Sequence, residues 1–218
     1  MSKVGICKVT CACCKKEVEV EKIWSVYARQ LGMDGDLHNH IQYKMQECPI
    51  CHYTAIDIED SSVRVSKGML NAFHLQAMYE KIEDPIFRKL MKAADIYEKN
   101  NNYYVHSHIM RLASFYSAEL GEYSIARNLL KQANESLEKY FAGIDEMTLT
   151  DVEKGIIFAD CNRQLGMLQS AKGVCEELLG LLESVEAEQE IELFRRLLRF
   201  ELMLIEKKDL KKHLVSEA

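Results

Sequence analysis

The chain has 218 residues, 48% hydrophobic and 28% charged, so it is long enough and apolar enough to bury a core. Two prolines and ten glycines are too few for a β-sandwich with many turns, and the helix-forming residues predict a mainly α fold. The formal net charge of −6 disfavours general binding to nucleic acid or to anionic lipid. No apolar run reaches the roughly 20 residues that span a bilayer, and no signal peptide is visible, so we expect a cytoplasmic protein without a membrane partner.

The pattern of apolar residues changes at about residue 60, and we divide the chain there. Before this point, apolar and polar residues alternate in short runs. These runs predict strands at 4–10, 17–23 and 53–58. After it, apolar residues recur three and four positions apart, which is typical of amphipathic helices. The sequence therefore predicts a small module resembling a zinc ribbon over residues 1–60 and a helical domain over residues 61–218.

Turn-forming residues break the helical part into segments. The breaks fall at Asp84-Pro85, at three consecutive asparagines (100–102), at Gly121 and at Gly143. The predicted helices cover about 62–82, 85–99, 102–119, 123–141, 148–165, 168–183 and 187–212. Seven successive amphipathic helices of this kind predict that the helices stack against one another.

Two helical stretches align when one is shifted by 45 residues. In each, a Leu-Gly pair ends one helix, and an alanine lets the next helix approach closely. This spacing predicts tetratricopeptide-like hairpins, in a bundle or a short solenoid, and an ordinary amphipathic antiparallel pair is the alternative. The corresponding positions are Gly121, Tyr123, Ala126, Leu130 and Ala133 in the first stretch, and Gly166, Leu168, Ala171, Cys175 and Leu178 in the second.

Six of the eight cysteines lie before residue 52, and four of them form two Cys-x-x-Cys pairs. Cys11 and Cys14 make the first pair, and Cys48 and Cys51 follow after 33 intervening residues. Two such turns supply the four thiolates of a structural Zn²⁺ site, and four sulfur ligands leave no open position for catalysis. In a segment with few large apolar residues, the metal would replace the missing core. We therefore predict one structural zinc bound by these four cysteines.

Other residues near the two pairs are alternatives for one ligand. Cys7 and Cys13 could each replace a sulfur, although only the four cysteines above have the two-residue spacing. His38, His40 and His52 are interpreted as polar loop residues, because the cysteine set is complete without them. A redox pair is disfavoured, since no βαβ pattern surrounds either Cys-x-x-Cys.

The order of these features resembles a known bacterial family. Two zinc knuckles about 30 residues apart, the stretch CPICHYTA and tetratricopeptide-like helices with an N-R-x-L-G-x-x-x-x-A stretch are similar to the family catalogued as domain of unknown function 2225. The resemblance covers about residues 9–182 and implies no known reaction. That family usually has glycine after the second cysteine of each knuckle, where a glycine eases a positive φ, and this chain has Lys15 and His52 there. The metal ligands that the resemblance implies are Cys11, Cys14, Cys48 and Cys51.

No other pattern in the sequence predicts a reactive site. His106 and His108 are two residues apart on a predicted helix, so they point in different directions and cannot chelate one ion. The sequence has neither a nucleophile elbow nor a glycine-rich phosphate loop. Cys161 and Cys175 fall within the helical pattern and are predicted to be buried packing thiols.

These observations favour a non-enzymatic scaffold or interaction protein whose function resides in a surface. Stacked helical hairpins form concave surfaces that accept a helix or an extended segment, so we predict a protein or peptide partner. Residues 1–60 carry seven basic and nine acidic side chains, which disfavours a nucleic-acid partner. Two alternatives stay open: a nucleic-acid-associated regulator that uses the zinc module, and a metal-dependent enzyme that uses the His-rich loop at 38–52. No feature of the sequence predicts the oligomeric state.

Overall fold

A computed structural model describes residues 3–25, 32–33, 41–61, 63, 65, 79, 81–183, 185 and 189–218. The protein is mainly helical, with a small two-stranded sheet at the N-terminus, as the sequence predicts. It divides into two compact units, one containing residues 1–27 and 39–136 and the other containing residues 28–38 and 137–218. Within the described ranges, no helix combines the length and the apolar character that a membrane span requires.

The N-terminal hairpin consists of two antiparallel strands, β1 (Lys3–Thr10) and β2 (Glu17–Ser25). Successive side chains point to opposite faces of such a sheet. Val9, Val18 and Val20 are buried on one face, and exposed side chains alternate with them. Both predicted strands are therefore confirmed.

Two shorter strands, β3 (Gln46–Glu47) and β4 (Thr54–Ala55), form a second antiparallel pair. The strand predicted at 53–58 is much shorter than expected, because β3 offers only two residues for pairing. Beyond β4, the N–H of Ile58 donates to the side-chain oxygen of the buried Gln46 at 3.1 Å. A glutamine side chain thus takes the place of a longer partner strand.

The described residues contain six helices, and each corresponds to a predicted one. Their starts agree with the sequence pattern to within four residues, whereas the helix predicted at 62–82 lies mostly outside the described residues. The division between the two units falls within the third helix. The helices are α1 (Pro85–Lys99), α2 (Tyr103–Glu119), α3 (Tyr123–Ala142), α4 (Val152–Leu165), α5 (Leu168–Glu183) and α6 (Gln189–Glu206).

The last helix ends earlier than its sequence pattern predicts. The apolar spacing continues to about residue 212, but α6 ends at Glu206, and Lys208 adopts a left-handed φ of 52°. The N–H of Asp209 then donates to the carbonyl of Leu204 at 2.9 Å, which closes the helix. Because a lysine occupies the position where glycine is usual, the sequence pattern does not indicate the end of α6.

The same closure ends three other helices. Asn101, Gly121 and Gly166 adopt left-handed φ angles of 56°, 84° and 85°. In each case the N–H of the next residue donates to the carbonyl five positions earlier, at 3.0, 2.9 and 2.8 Å respectively. This backbone requirement explains why a Leu-Gly pair separates α2 from α3 and again α4 from α5.

Both aligned stretches form antiparallel helical hairpins. Across α2 and α3, Ser114 Oγ donates to the carbonyl of Ala126 at 2.7 Å, and His106 Nδ1 lies 2.7 Å from Ser136 Oγ. Across α4 and α5, the absence of a side chain at Gly155 makes room for Leu178. Assignment of these hairpins to a tetratricopeptide-like repeat stays a prediction.

The β strands and the first helices share one hydrophobic core. Val9, Tyr53 and Ile58 belong to the same cluster of buried side chains as Leu90 and Ile96 of α1. The boundary predicted near residue 60 therefore lies inside the first unit. Independent folding of residues 61–218 stays a prediction.

Replacing Gly155 and Gly173 with alanine, one at a time, should have opposite effects on stability. A Cβ at Gly155 would lie 2.7, 3.0 and 3.3 Å from Cδ1, Cδ2 and Cγ of the fully buried Leu178, whereas a Cβ at Gly173 would meet nothing within 4 Å. Alanine favours a helix over glycine by about 1 kcal/mol, and overpacking costs about 1–3 kcal/mol. Urea unfolding should therefore show Gly155→Ala as destabilised and Gly173→Ala as stabilised. Stabilisation of both variants would contradict the close approach of α4 and α5.

Candidate metal centre

The two Cys-x-x-Cys turns have the same backbone conformation. We call residues 11–16 the first knuckle and residues 48–53 the second knuckle. In each, the N–H of the first cysteine donates to the carbonyl five residues later, at 3.0 Å from Cys11 and 2.9 Å from Cys48. The carbonyl of the same cysteine accepts from the N–H four residues later, at 2.9 Å in both knuckles. Two separate parts of the chain thus build equivalent halves of one site.

The strands place the knuckles next to each other. The first knuckle connects β1 to β2, and the second connects β3 to β4. The N–H of Ala12 donates to the carbonyl of Ile58 at 2.7 Å, which ties the first knuckle to the chain that follows β4. Each pair of cysteines is therefore held at the turn of a small hairpin.

The residue after each second cysteine has a left-handed backbone. Lys15 has a φ of 59°, and His52 has a φ of 58°. These are the two positions at which the resembling family usually has glycine. A residue with a Cβ is strained in this region. Both knuckles therefore form in spite of an unfavourable backbone conformation at one residue each.

Glycine at either position should stabilise the protein. We expect Lys15→Gly and His52→Gly to raise the free energy of unfolding by up to about 1 kcal/mol each, because the left-handed strain is relieved. Lys16→Gly is the matched control, since Lys16 is exposed and its φ is not in this region, and it should be neutral or slightly destabilising. Thermal unfolding of the four proteins measures the difference. Equal destabilisation by all three substitutions would contradict the strain.

The four predicted sulfur atoms come together. The Sγ atoms of Cys11, Cys14, Cys48 and Cys51 all lie within 4.8 Å of one another. Those of Cys11 and Cys51 are 3.7 Å apart, as are those of Cys14 and Cys48. Disulfide sulfurs would be about 2.05 Å apart, whereas a tetrahedron with metal–sulfur bonds of about 2.3 Å has edges of about 3.8 Å. The spacing suits four thiolates around one ion.

Burial and backbone hydrogen bonds act in opposite directions on these thiols. Cys11 and Cys48 are fully buried, and the other two cysteines are half-buried. Burial raises the pKa of Cys11 and of Cys51. For Cys14, burial also acts to raise the pKa, but hydrogen bonds from the N–H of Lys16 and from the neighbouring thiols outweigh it and lower the pKa. Four thiolates this close together need a cation, so metal binding here would release protons and would weaken as the pH falls.

The alternative ligands that the structure describes do not join this cluster. Cys7 is half-buried, with its Sγ 3.7 Å from the carbonyl of Val20, and Cys13 is half-buried outside the group of four. The His52 ring points towards Glu47, with Nδ1 3.4 Å from a carboxylate oxygen. The other two histidines of the predicted alternatives, at 38 and 40, lie outside the described residues.

The remaining sequence candidates are two histidines of α2 and two cysteines, one in α4 and one in α5. His106 is buried and contacts Ser136, and His108 is half-buried. Cys161 and Cys175 are both fully buried, as the helical pattern predicts. None of these four side chains lies in the sulfur cluster.

A buried charge network in the second unit has no counterpart in the sequence predictions. The side chains of Asp160, Arg163 and Glu201 are fully buried. Arg163 Nε donates to Glu201 Oε1 at 2.6 Å, and its Nη2 donates to Asp160 Oδ1 at 2.5 Å. Its Nη1 donates to the carbonyls of Asp209 and Lys211, at 2.5 and 2.7 Å. One guanidinium thus joins α4, α6 and the segment after α6.

Glu201 is the member of this network whose ionisation should be measurable. Burial and the charge of Asp160 raise the pKa of Glu201 to about 8, although Arg163 opposes this. Asp160 and Arg163 face it from α4, and Cys175 faces it from α5. Its Oε2 atom has no hydrogen-bond partner among the described residues, so the ionised carboxylate would be stabilised at one oxygen only.

The stability of the second unit, which contains none of the four clustered cysteines, should therefore fall as the pH rises from about 5 to 8, because the unfolded chain releases the Glu201 proton that the folded chain keeps. Each pH unit in this window should cost at most about 1.4 kcal/mol of unfolding free energy. Glu201→Gln should remove this slope, whereas Glu206→Gln, an exposed carboxylate near the end of the same helix, should keep it. Urea unfolding at pH 5, 6, 7 and 8 gives the measurement. A slope unchanged in Glu201→Gln would assign the dependence to other groups.

Comparisons with known proteins add no assignment. A scan against protein-family models, a search of curated proteins and a search of solved structures found no match to this chain. Interpretation of the site therefore depends on its own chemistry.

Proposed function

We propose that the four clustered cysteines bind one Zn²⁺ ion as a structural centre. The observation that carries this proposal is the pair of 3.7 Å sulfur–sulfur distances within a group of four thiols. Thiolate ligands in a tetrahedral set are the usual ligands of structural zinc. The backbone N–H groups of Lys16 and Tyr53, which donate to Cys14 and Cys51, would also stabilise bound thiolates.

Such a centre would support the fold and would take no part in a reaction. Four protein ligands leave zinc without a position for water or substrate. The knuckles follow directly on short strands that bury few large side chains, so the ion would supply stability that a larger core provides elsewhere. We place the protein in the cytoplasm as part of the same proposal, since a reducing compartment keeps thiolates available for metal.

We further propose that the protein is not an enzyme and that it binds another protein or peptide. Helical hairpins often form such surfaces, although this support is by analogy of architecture. A more direct support lies at the turn between α2 and α3, where Leu120, Tyr123 and Ile125 are 56%, 73% and 44% exposed. Grouped apolar side chains in solvent commonly mark an interaction surface. The resemblance to domain of unknown function 2225 agrees with this proposal and stays a proposal itself.

The metal part is tested on freshly purified, reduced protein. We expect about one equivalent of zinc by elemental analysis and four sulfur neighbours by X-ray absorption. Absence of metal would overturn the proposal of a zinc centre. Fewer than four sulfur ligands would favour the alternative of a metal-dependent enzyme.

The binding part is tested by affinity capture from the native cell, with protein and nucleic acid both identified. We expect a specific protein that wild type captures and that a Leu120→Ser/Tyr123→Ser variant captures weakly. Leu149→Ser/Leu210→Ser is the control, because it removes two exposed apolar side chains elsewhere on the surface. Capture of nucleic acid in place of protein would favour the alternative of a nucleic-acid-associated regulator.

A further inference from the structure

A cleft of about 620 Å³ lies in the first unit between the second knuckle and α1. Clefts of this size hold small ligands or the side chains of a short peptide. No cysteine lines it, so it is distinct from the sulfur cluster. Its lining residues are Glu47, Pro49 and His52 around the knuckle, and Pro85, Arg88, Lys89 and Lys92 from α1.

The cleft carries an excess of positive charge in a protein whose net charge is −6. Its one carboxylate, on Glu47, already has a partner, because its Oε1 lies 2.9 Å from Lys92 Nζ. Within the described part of the chain, neither Arg88 nor Lys89 forms an ion pair. Among the described residues, these two cationic groups of the cleft therefore have no counter-ion.

The three cationic side chains of the cleft are partly or largely buried. Arg88 and Lys89 are half-buried, and the side chain of Lys92 is only 9% exposed. Arg88 and Lys92 are four residues apart, which places them on one face of the helix. Partial burial reduces the screening of such charges by water, so an anion bound here interacts more strongly than it would with exposed lysines.

We propose that this cleft binds an acidic segment of a partner protein, whose anionic oxygens contact Arg88 and Lys89. This inference rests on the proposed function and names the chemistry of the partner. A guanidinium group donates in a fork that matches the two oxygens of a carboxylate or a phosphate. The anion is therefore a glutamate or aspartate side chain, or a phosphorylated residue.

The surroundings favour a short protein segment over a nucleic acid. An adjoining pocket shares Glu47 and Lys89 with the cleft and is also lined by Glu19 and Glu21. These carboxylates would repel a row of phosphates that continued past the cleft. A segment with one or two anionic side chains ends before it reaches them.

The test measures fluorescence anisotropy of labelled probes with the full-length, zinc-loaded protein at low salt. The probes are a short peptide with two adjacent glutamates among glutamines, an all-glutamine version of it, a version with one phosphoserine among glutamines, and a single-stranded RNA. We expect the glutamate or the phosphoserine peptide to bind, the glutamine peptide not to bind, and Arg88→Gln/Lys89→Gln to weaken binding by at least about tenfold. The control is Lys172→Gln/Arg196→Gln, which removes the same charge from exposed positions of the second unit and should change affinity less than about twofold.

Several outcomes would overturn the proposal. These are the absence of binding by both anionic peptides, unchanged affinity of the Arg88→Gln/Lys89→Gln variant, and tighter binding of the RNA than of either peptide. Loss of zinc from that variant would show that the two cations balance the charge of the thiolates instead. If the variant still captures the cellular protein partner that wild type captures, the cleft proposal fails while the proposed function stands.

Discussion

Replacing Cys48 with serine should abolish the proposed zinc binding and unfold the two knuckles together with the strands that flank them. Cys48 is fully buried, and its Sγ lies 3.7 Å from that of Cys14, so no water can replace the lost thiolate without rearrangement. Zinc binding at structural sites is worth about 10–16 kcal/mol, which is comparable to the whole stability of an ordinary domain. Elemental analysis should show loss of the metal. Hydrogen exchange should show loss of protection over residues 3–25 and 41–61.

Two other cysteines of the same module provide matched controls. Cys7→Ser and Cys13→Ser each remove a half-buried thiol that lies outside the cluster of four. Both variants should retain about one equivalent of zinc and the protection of the strands. A loss of metal in Cys13→Ser with retention in Cys14→Ser would reassign that ligand. Full zinc content in Cys48→Ser would remove the basis for a tetrathiolate centre.

Replacing Arg163 with methionine should destabilise the second unit by about 3–5 kcal/mol. The methionine fills similar space, but Asp160 stays fully buried without its guanidinium partner, and the carbonyls of Asp209 and Lys211 lose their shared donor. Removal of one partner leaves the full cost of burying the other, which is much larger than the net benefit of the pair. Urea unfolding, followed by the hydrogen exchange of α4 and α6, measures the effect.

A second substitution separates this effect from simple loss of packing. Adding Asp160→Asn to Arg163→Met removes the buried charge, and we expect it to restore at least about 1 kcal/mol of the lost stability. Arg196→Met is the control for the chemical change, because Arg196 is exposed on α6 and should be nearly neutral. No recovery in the double variant would mean that Arg163 stabilises the unit through its packing and its hydrogen bonds to the carbonyls of Asp209 and Lys211, and not by balancing the charge of Asp160.

Local patterns explain which parts of the fold could be predicted. The two cysteine pairs are predictable from the sequence because a Cys-x-x-Cys motif spans only four residues. Helix ends are predictable where asparagine or glycine takes the left-handed position. The end of α6 was missed because Lys208 takes that position instead. The strand predicted at 53–58 was too long because its length depends on β3, which lies on the other side of the knuckle.

The features that the sequence does not predict depend on contacts between residues far apart in the chain. Arg163 and Glu201 meet only because α4 packs against α6, and no spacing rule connects two positions 38 residues apart. The basic residues of the cleft are an ordinary charged stretch of α1 until the second knuckle lies beside them. The core that joins the strands to α1 likewise crosses the boundary that the change in periodicity suggests near residue 60.

If the proposed zinc centre forms, the joint packing of Tyr53 and Ile58 with Leu90 and Ile96 would make the environment of α1 depend on the supply of metal. A chain made without zinc would leave the apolar side of α1 partly uncovered. Exposed apolar surface is what chaperones bind and what allows proteases to reach an opened chain. Zinc limitation would therefore shorten the lifetime of the protein in the cell, so that its abundance would follow the metal status of the cell without a dedicated sensor.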